Sequence, residues 1–398
     1  MAGGRGAACL LITNLFPPAL GGSSEVYAAL ASFAGGEIAV LASSHDHETG
    51  LERPGWRAFD RQASYPIHRV NCIRPYLRTD RLQSGFLYRL HEAATALKLA
   101  ATVLRLALRY RVGAICIADD ETVGWLTLVG GFLKRRTLIY CHGDDLKCAK
   151  ETMARRRHGF GQADRVVAAS HYAAGLLITD FGVPADKVAT IPNGVDLGAF
   201  FPKAVPRSFL QQHGLEGRRL LVTVSRLVPR KGVDKVLEAL PAVAQEFPDL
   251  LYAVVGDGPQ RRELEQKAQA LGIASMVRFF GAVAHSQTSE FYNAAEVVLL
   301  PNREEDGEAD GLPLVFLEAN ACAKPVIGGR AGGTPEIVRD GENGLLVDGG
   351  DPHAIAVALQ RLFANREMAT AMGHKGLAMA KDWGWAARAE AFLQLCRG

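Results

Sequence analysis

Arg226 and Lys231 lie in SRLVPRKG, directly after the apolar run LLVTV at 220–224. If that run is a strand, both cations leave its carboxyl end, where a guanidinium can grip a phosphate bidentately and an ammonium can act as a point charge. A solvated basic loop has the same composition, so the pair alone does not decide between the two. The segment ADGLPLVFLEANACAKPVIGG carries more. Pro313 suits the first position of a helix, which leaves the amides of Leu314 and Val315 without intrahelical acceptors and makes an anion site of that helix start. Asp310 stands in the loop before the helix and Glu318 stands within it. Carboxylates beside a bound diphosphate would repel it, so these two are expected to address hydroxyls. An amphipathic helix with a solvated Glu318 is the plainer alternative.

Three further segments have the same character. In FPPALGGSSEV, Gly21 and Gly22 precede a helical pattern and let backbone amides approach a phosphate; a simple tight turn would use the same glycines. In GGRAGGTPEIV, Thr334 reads as a helix cap with Pro335 at the first position, either a second glycine-lined cradle or a well-capped surface helix. His142 follows the run TLIYC at 137–141, where a neutral imidazole can bond a sugar hydroxyl or serve the fold alone. Other chemistries find no support. GDGPQR at 256–261 lacks the third glycine of a dinucleotide fingerprint, and the chain has neither GxxxxGK[ST] nor a DxD pair to hold a metal-bridged diphosphate. The expectation is therefore no metal and no cofactor.

These residues need strands to carry them. Apolar runs at 9–13, 38–42, 114–118, 137–141, 165–169 and 188–192, with helical patterns between them such as Leu87 to Tyr110, predict an α/β half with a parallel sheet. A second half restarts at 220–224 and continues through 251–255, 277–280, 297–300 and 325–327. Between the halves, IPNGVDLGAFFPKAVPRS has the Pro and Gly content of a linker. The expected division is 1–195 and 196–382, two doubly wound Rossmann-like domains facing across a cleft, with a last helix over 383–398 packing back on the first.

The chain has 398 residues, 48% hydrophobic and 22% charged, with a net charge of +3. That charge is too small for a nucleic-acid binder, and no nucleic-acid partner is expected. Seven scattered cysteines without CxxC spacing suit a reducing compartment, and the 16-residue apolar stretch from Ala93 to Leu108 contains Lys98 and Arg105, so no span is expected. The chain reads as cytoplasmic. Arg69, Arg74, Arg78, Arg81 and Arg89 with Phe86, Leu87 and Tyr88 could lie peripherally on the inner, anionic membrane face or simply form a packed helix with a basic side.

Together, FPPALGGSSEV, HGDD, ASHYAAGLL, IPNGVD, SRLVPRKG, VVGDGP, FFGAVAHSQTSEFYNAAEVVLLP, GLPLVFLEANA and GGTPEIV resemble the family-four retaining glycosyltransferases of the GT-B fold, in the family's order and over nearly the whole chain. The resemblance implies a metal-independent hexosyltransferase with a nucleotide-sugar donor and a glycan or lipid-linked acceptor. By that resemblance Gly22 faces the distal phosphate, Arg226 and Lys231 clamp the diphosphate, and His142 and Asp310 serve the donor sugar. Glu318 matches the ribose-binding carboxylate of the E-x7-E motif, and Gly281 falls at the nucleobase. RLVPRKG and LPLVFLEANACAKPVIGG are similar to the phosphatidylinositol mannosyltransferases, which favours GDP-mannose over UDP-sugars. Asp310 stands where the family has Glu, a reach shorter by roughly 1.5 Å, and Ala323 stands where it has Gly. A catalytically silent partner subunit of the same fold is the alternative class.

Overall fold

A computed structural model describes residues 6–19, 21–46, 49–71, 73, 86–118, 123–143, 146 and 150–398. It divides into two compact units, Met1–Pro192 with Trp385–Gly398, and Asn193–Gly384.

The first unit holds seven strands: β1 Cys9–Thr13, β2 Ile38–Ser43, β3 Ile67–Val70, β4 Ala114–Ile117, β5 Arg136–Cys141, β6 Arg165–Ala168 and β7 Val188–Thr190. They pair in the order β3-β2-β1-β4-β5-β6-β7, and every pairing is parallel. CLLIT in β1 and IAVLAS in β2 are buried at every position, as strands covered by helices on both faces must be. The last helix, Trp385–Arg397, belongs to this unit. It buries Trp385, Ala389, Phe392 and Leu393, sets Phe392 6.1 Å from the Tyr140 ring, and its Arg397 pairs with Glu37 at 2.6 Å.

The second unit holds β8 Arg219–Val224, β9 Leu250–Val255, β10 Val277–Gly281, β11 Val297–Leu300, β12 Val326–Gly329 and β13 Gly344–Val347. Their order is β10-β9-β8-β11-β12-β13, again all parallel. Between β8 and β9 the helix Val233–Glu246 buries Val233, Val236, Leu237, Leu240 and Val243. That three-and-four spacing makes one apolar stripe, each side chain contributing about 1.5–3 kcal/mol of gross burial energy.

Both units are therefore doubly wound Rossmann-like sheets. In each, chain order reverses at one place, between β1 and β4 and between β8 and β11. Loops leaving the carboxyl ends of such neighbouring strands part company there and leave room for a ligand. Lys231 follows β8 and Asp310 follows β11, so both sit at the reversal of the second sheet.

Candidate functional site

After β8 the chain makes a short 3-10 turn, Pro229–Lys231, and enters the helix Val233–Glu246 through Gly232. Gly232 is required: its φ is +72°, and a Cβ there would stand 2.2 Å from the carbonyl oxygen of Pro301. The turn after β8 thus packs against the exit of β11. Arg303 strengthens that contact, its amide donating to the Arg230 carbonyl at 2.9 Å and its guanidinium to Asp234 at 2.8 Å.

This docking brings together residues far apart in sequence. Lys231 Nζ donates to Asp310 Oδ1 at 2.6 Å, and Arg230 Nε donates to the same oxygen at 3.2 Å. Asp310 is 5% exposed. Burial disfavours its charge, but the Lys231 and Arg230 charges beside it outweigh that and hold its carboxyl below the ordinary range. Its backbone is fixed too, because Gly333 N donates to the Asp310 carbonyl at 2.9 Å. Gly332, at φ +56°, passes so close that a Cβ would lie 2.1 Å from that carbonyl oxygen. Asp310 Oδ2 is buried and has no hydrogen-bond partner among the described residues. Such an acceptor costs about 1–3 kcal/mol unless something donates to it.

Arg230 was not among the residues expected from the sequence, which pointed to Arg226 and to Lys231 beside it. Arg226, by contrast, is exposed and enters no ion pair among the described residues. Lys231 is half-buried, and Asp310 is the one side chain it bonds among those residues, so an ammonium with three donors has others to give.

The helix after Asp310 is Leu314–Ala321, and here one expectation needs correcting. Pro313 is the cap, not the first helical residue: its ψ of 105° is extended. The amides of Leu314 and Val315 still open the helix without intrahelical acceptors. Glu318 is buried on this helix, its Oε1 2.8 Å from His285 Nε2 and its Oε2 accepting from the Tyr292 hydroxyl at 2.6 Å. Neither partner was singled out in the sequence. Gly281 ends β10, and its carbonyl accepts from Gly256 N at 2.8 Å.

A second correction concerns Thr334. Gly333 caps the four-residue helix Thr334–Ile337, and Thr334 lies inside it. Its hydroxyl is engaged by Asn302, which donates from Nδ2 at 2.9 Å and accepts at Oδ1 at 3.0 Å. The glycines of GGRAGG accordingly hold the loop after β11 in place. Ala323 lies just past the helix end at φ +57°, a left-handed conformation that L side chains resist.

In the first unit Gly21 precedes the helix Gly22–Phe33, and a Cβ on either glycine would meet nothing within 4 Å. His142 follows β5, is 6% exposed, and has the rings of Tyr27 at 5.1 Å and Tyr140 at 5.2 Å. Arg69 does not serve a basic surface. It is buried against Phe16 and Trp56, ion-paired with Asp60 at 2.7 Å, and donates to the carbonyls of Pro17 and Ser43, which braces the loop after β1. Arg74, Arg78 and Arg81 lie outside the described residues, and for Phe86, Leu87, Tyr88 and Arg89 only the helical backbone is described. No helix among the described residues is long and apolar enough to cross a membrane. Cys9, Cys116, Cys141, Cys322 and Cys396 are buried free thiols; Cys72 and Cys148 lie outside the described residues.

Two parallel Rossmann-like sheets, with cations and carboxylates at the carboxyl ends of the second, fit the GT-B class of glycosyltransferase. The chain belongs to the family-four glycosyltransferases: residues 23–199 match "Glycosyltransferase Family 4" and residues 207–379 match "Glycosyl transferases group 1". It is 32% identical over 408 residues, 98% of each chain, to the GDP-mannose-dependent alpha-(1-6)-phosphatidylinositol monomannoside mannosyltransferase of Mycolicibacterium smegmatis. It is 34% identical over 245 residues, 59% of this chain and 55% of the relative, to the D-inositol 3-phosphate glycosyltransferase of Thermobifida fusca. The structure of Anabaena HepE with UDP and glucose has the same fold, with a TM-score of 0.79 and 20% identity over 98% of this chain and 99% of that one. The protein is a hexosyltransferase that draws its sugar from a nucleotide donor.

Proposed function

We propose that the chain transfers mannose from GDP-mannose, with retention at the anomeric carbon, to a hydroxyl of a lipid-linked glycan, and that it needs no metal. The mannosyltransferase matched over 98% of its length supports GDP-mannose rather than a UDP-sugar. The observation that carries the site is Asp310, an ionised carboxylate with one oxygen held by Lys231 and Arg230 and the other buried without a donor. A sugar hydroxyl would supply that donor.

The diphosphate falls to Arg226, the remaining donors of Lys231, and the amides of Leu314 and Val315. From the first unit we assign Gly21 and Gly22 to the distal phosphate and His142 to the sugar. Glu318 takes the ribose and Gly281 abuts the base. In the reaction the C1–O bond to the diphosphate breaks, its electron pair leaving with the phosphate oxygen. The acceptor oxygen bonds C1 on the same face and gives its proton to that departing oxygen. No side-chain nucleophile is needed. Charge that grows on the leaving group is met by cations and amides already in place, the arrangement that contributes most to catalysis of this kind. A peripheral position at an anionic membrane face would suit a lipid-linked acceptor, and liposome sedimentation at low and high salt tests it. Thermal-shift screening against GDP-, UDP- and ADP-sugars tests the donor: stabilisation by GDP-mannose above the others is expected, and a preference for another nucleotide sugar overturns that assignment.

A further inference from the structure

Glu318 lies on the helix Leu314–Ala321, but what holds its carboxylate is the neighbouring helix His285–Ala294. His285 opens that helix and Tyr292 stands two turns further on. One bonds Oε1 at 2.8 Å and the other Oε2 at 2.6 Å, so the carboxylate is braced at both ends from one rigid element. The braces are themselves fixed. Phe200 packs against both rings, 5.2 Å from His285 and 5.9 Å from Tyr292. The Thr288 hydroxyl donates to the His285 carbonyl at 2.7 Å, and Gln287 accepts from the Ala284 amide at 3.2 Å, which secures the first turn. Tyr292 is fully buried. Burial and the adjacent Glu318 charge push its phenol well up, so it stays a donor.

A glutamate on a helix face has three side-chain torsions to fix, and ordering such a side chain costs about 1.5–2 kcal/mol. Here that cost is met in the folded protein before any ligand arrives. Each carboxylate oxygen offers two lone-pair sites and spends one on its brace, leaving one apiece for an incoming donor. The Glu318 side chain is 8% exposed and that of His285, which bonds it, 39%.

We propose that His285 and Tyr292 are positioning residues that hold Glu318 ready to accept a ribose hydroxyl, and that this bracing makes the enzyme prefer ribonucleotide over deoxyribonucleotide donors. The proposal rests on the assignment of Glu318 to the ribose given above. A purely structural role for the two donors would change stability and leave the ratio of ribo to deoxy affinities alone.

The test is calorimetric titration of the full chain with GDP and UDP and with the 2′-deoxy and 3′-deoxy form of each. Wild type is expected to lose at least about tenfold in affinity on removal of the hydroxyl that Glu318 accepts, the lower end for a hydrogen bond to a charged group. Glu318→Gln should erase most of that ratio. Tyr292→Phe and His285→Ala should each reduce it to about threefold or less, by weakening ribonucleotide binding while deoxynucleotide binding holds. His285→Gln, which keeps an N–H, should restore it and serves should the buried Tyr292→Phe fail to fold. If Glu318→Gln erases the ratio while Tyr292→Phe and His285→Ala keep it, the bracing is overturned and the ribose assignment stands. If wild type binds neither nucleotide or shows no ribo preference, the ribose assignment falls and the bracing with it.

Discussion

Replacing Asp310 by Asn removes one charge and almost no volume, so it isolates the ion cluster after β8. The Lys231 ammonium is 2.6 Å and the Arg230 guanidinium 3.2 Å from the same carboxylate oxygen. At an effective dielectric constant of about 20, unit charges at the shorter distance attract by about 6 kcal/mol, and desolvation of the buried carboxylate takes back several kcal/mol. Breaking a buried pair from one side also strands its partners. The net loss should be about 3 kcal/mol, or roughly 6–12 °C in Tm for a unit of this size. Urea unfolding at pH 7 followed by circular dichroism measures it. The pH dependence has a definite sign. Because the folded carboxyl lies below its unfolded value, the stabilisation is complete above the unfolded pKa of about 3.9. It is lost as pH falls through the still lower folded value. The gap between wild type and Asp310→Asn should therefore be constant from pH 7 to about 5 and close below about 4. A gap under about 0.5 kcal/mol at pH 7, the size of a surface pair, would refute the buried cluster.

Two backbone changes follow from the same region. Ala323→Gly should raise stability by about 1 kcal/mol in urea unfolding, because the wild-type alanine sits at φ +57°; no gain would mean the helix ends differently. Gly332→Ala should cost about 3 kcal/mol and lower turnover of the donor, since its Cβ must displace the Asp310 carbonyl now 2.1 Å away. Unchanged unfolding and turnover would show that this close approach does not hold Asp310.

Most of the fold was legible, because strands covered on both faces read as unbroken apolar runs. CLLIT, IAVLAS and LLYAVV are buried throughout and announce themselves. The two strands that escaped notice, β3 and β13, are both at sheet edges. IHRV is half-buried at all four positions and mixes charge with apolar residues, and GLLV opens on a glycine that must slip past the Val326 carbonyl. The site was legible in part. Loops at strand ends drew attention to Arg226, Lys231 and Asp310, and the helix after Asp310 to Glu318. Their partners did not show, because Lys231 meets Asp310 across 79 residues and Glu318 meets His285 across 33. Local pattern carries nothing at that range. Arg230 was hidden for a different reason: in PRKG nothing local tells that Arg230 turns inward together with Lys231. Thr334 and Pro313 had the right residue types for helix starts, and each lies one position away from the expected place, where caps are commonly misread.

The central claim is that Arg226 and Lys231 meet the charge of a nucleoside diphosphate. It is tested most directly by calorimetric binding of GDP to wild type and to Arg226→Ala at two salt concentrations. Loss of the guanidinium should weaken GDP by at least about tenfold at low salt, the effect of one hydrogen bond between charged groups, and by less at high salt. Guanosine, which has no phosphate, should bind both proteins alike. Equal GDP affinity in the two proteins would contradict the account.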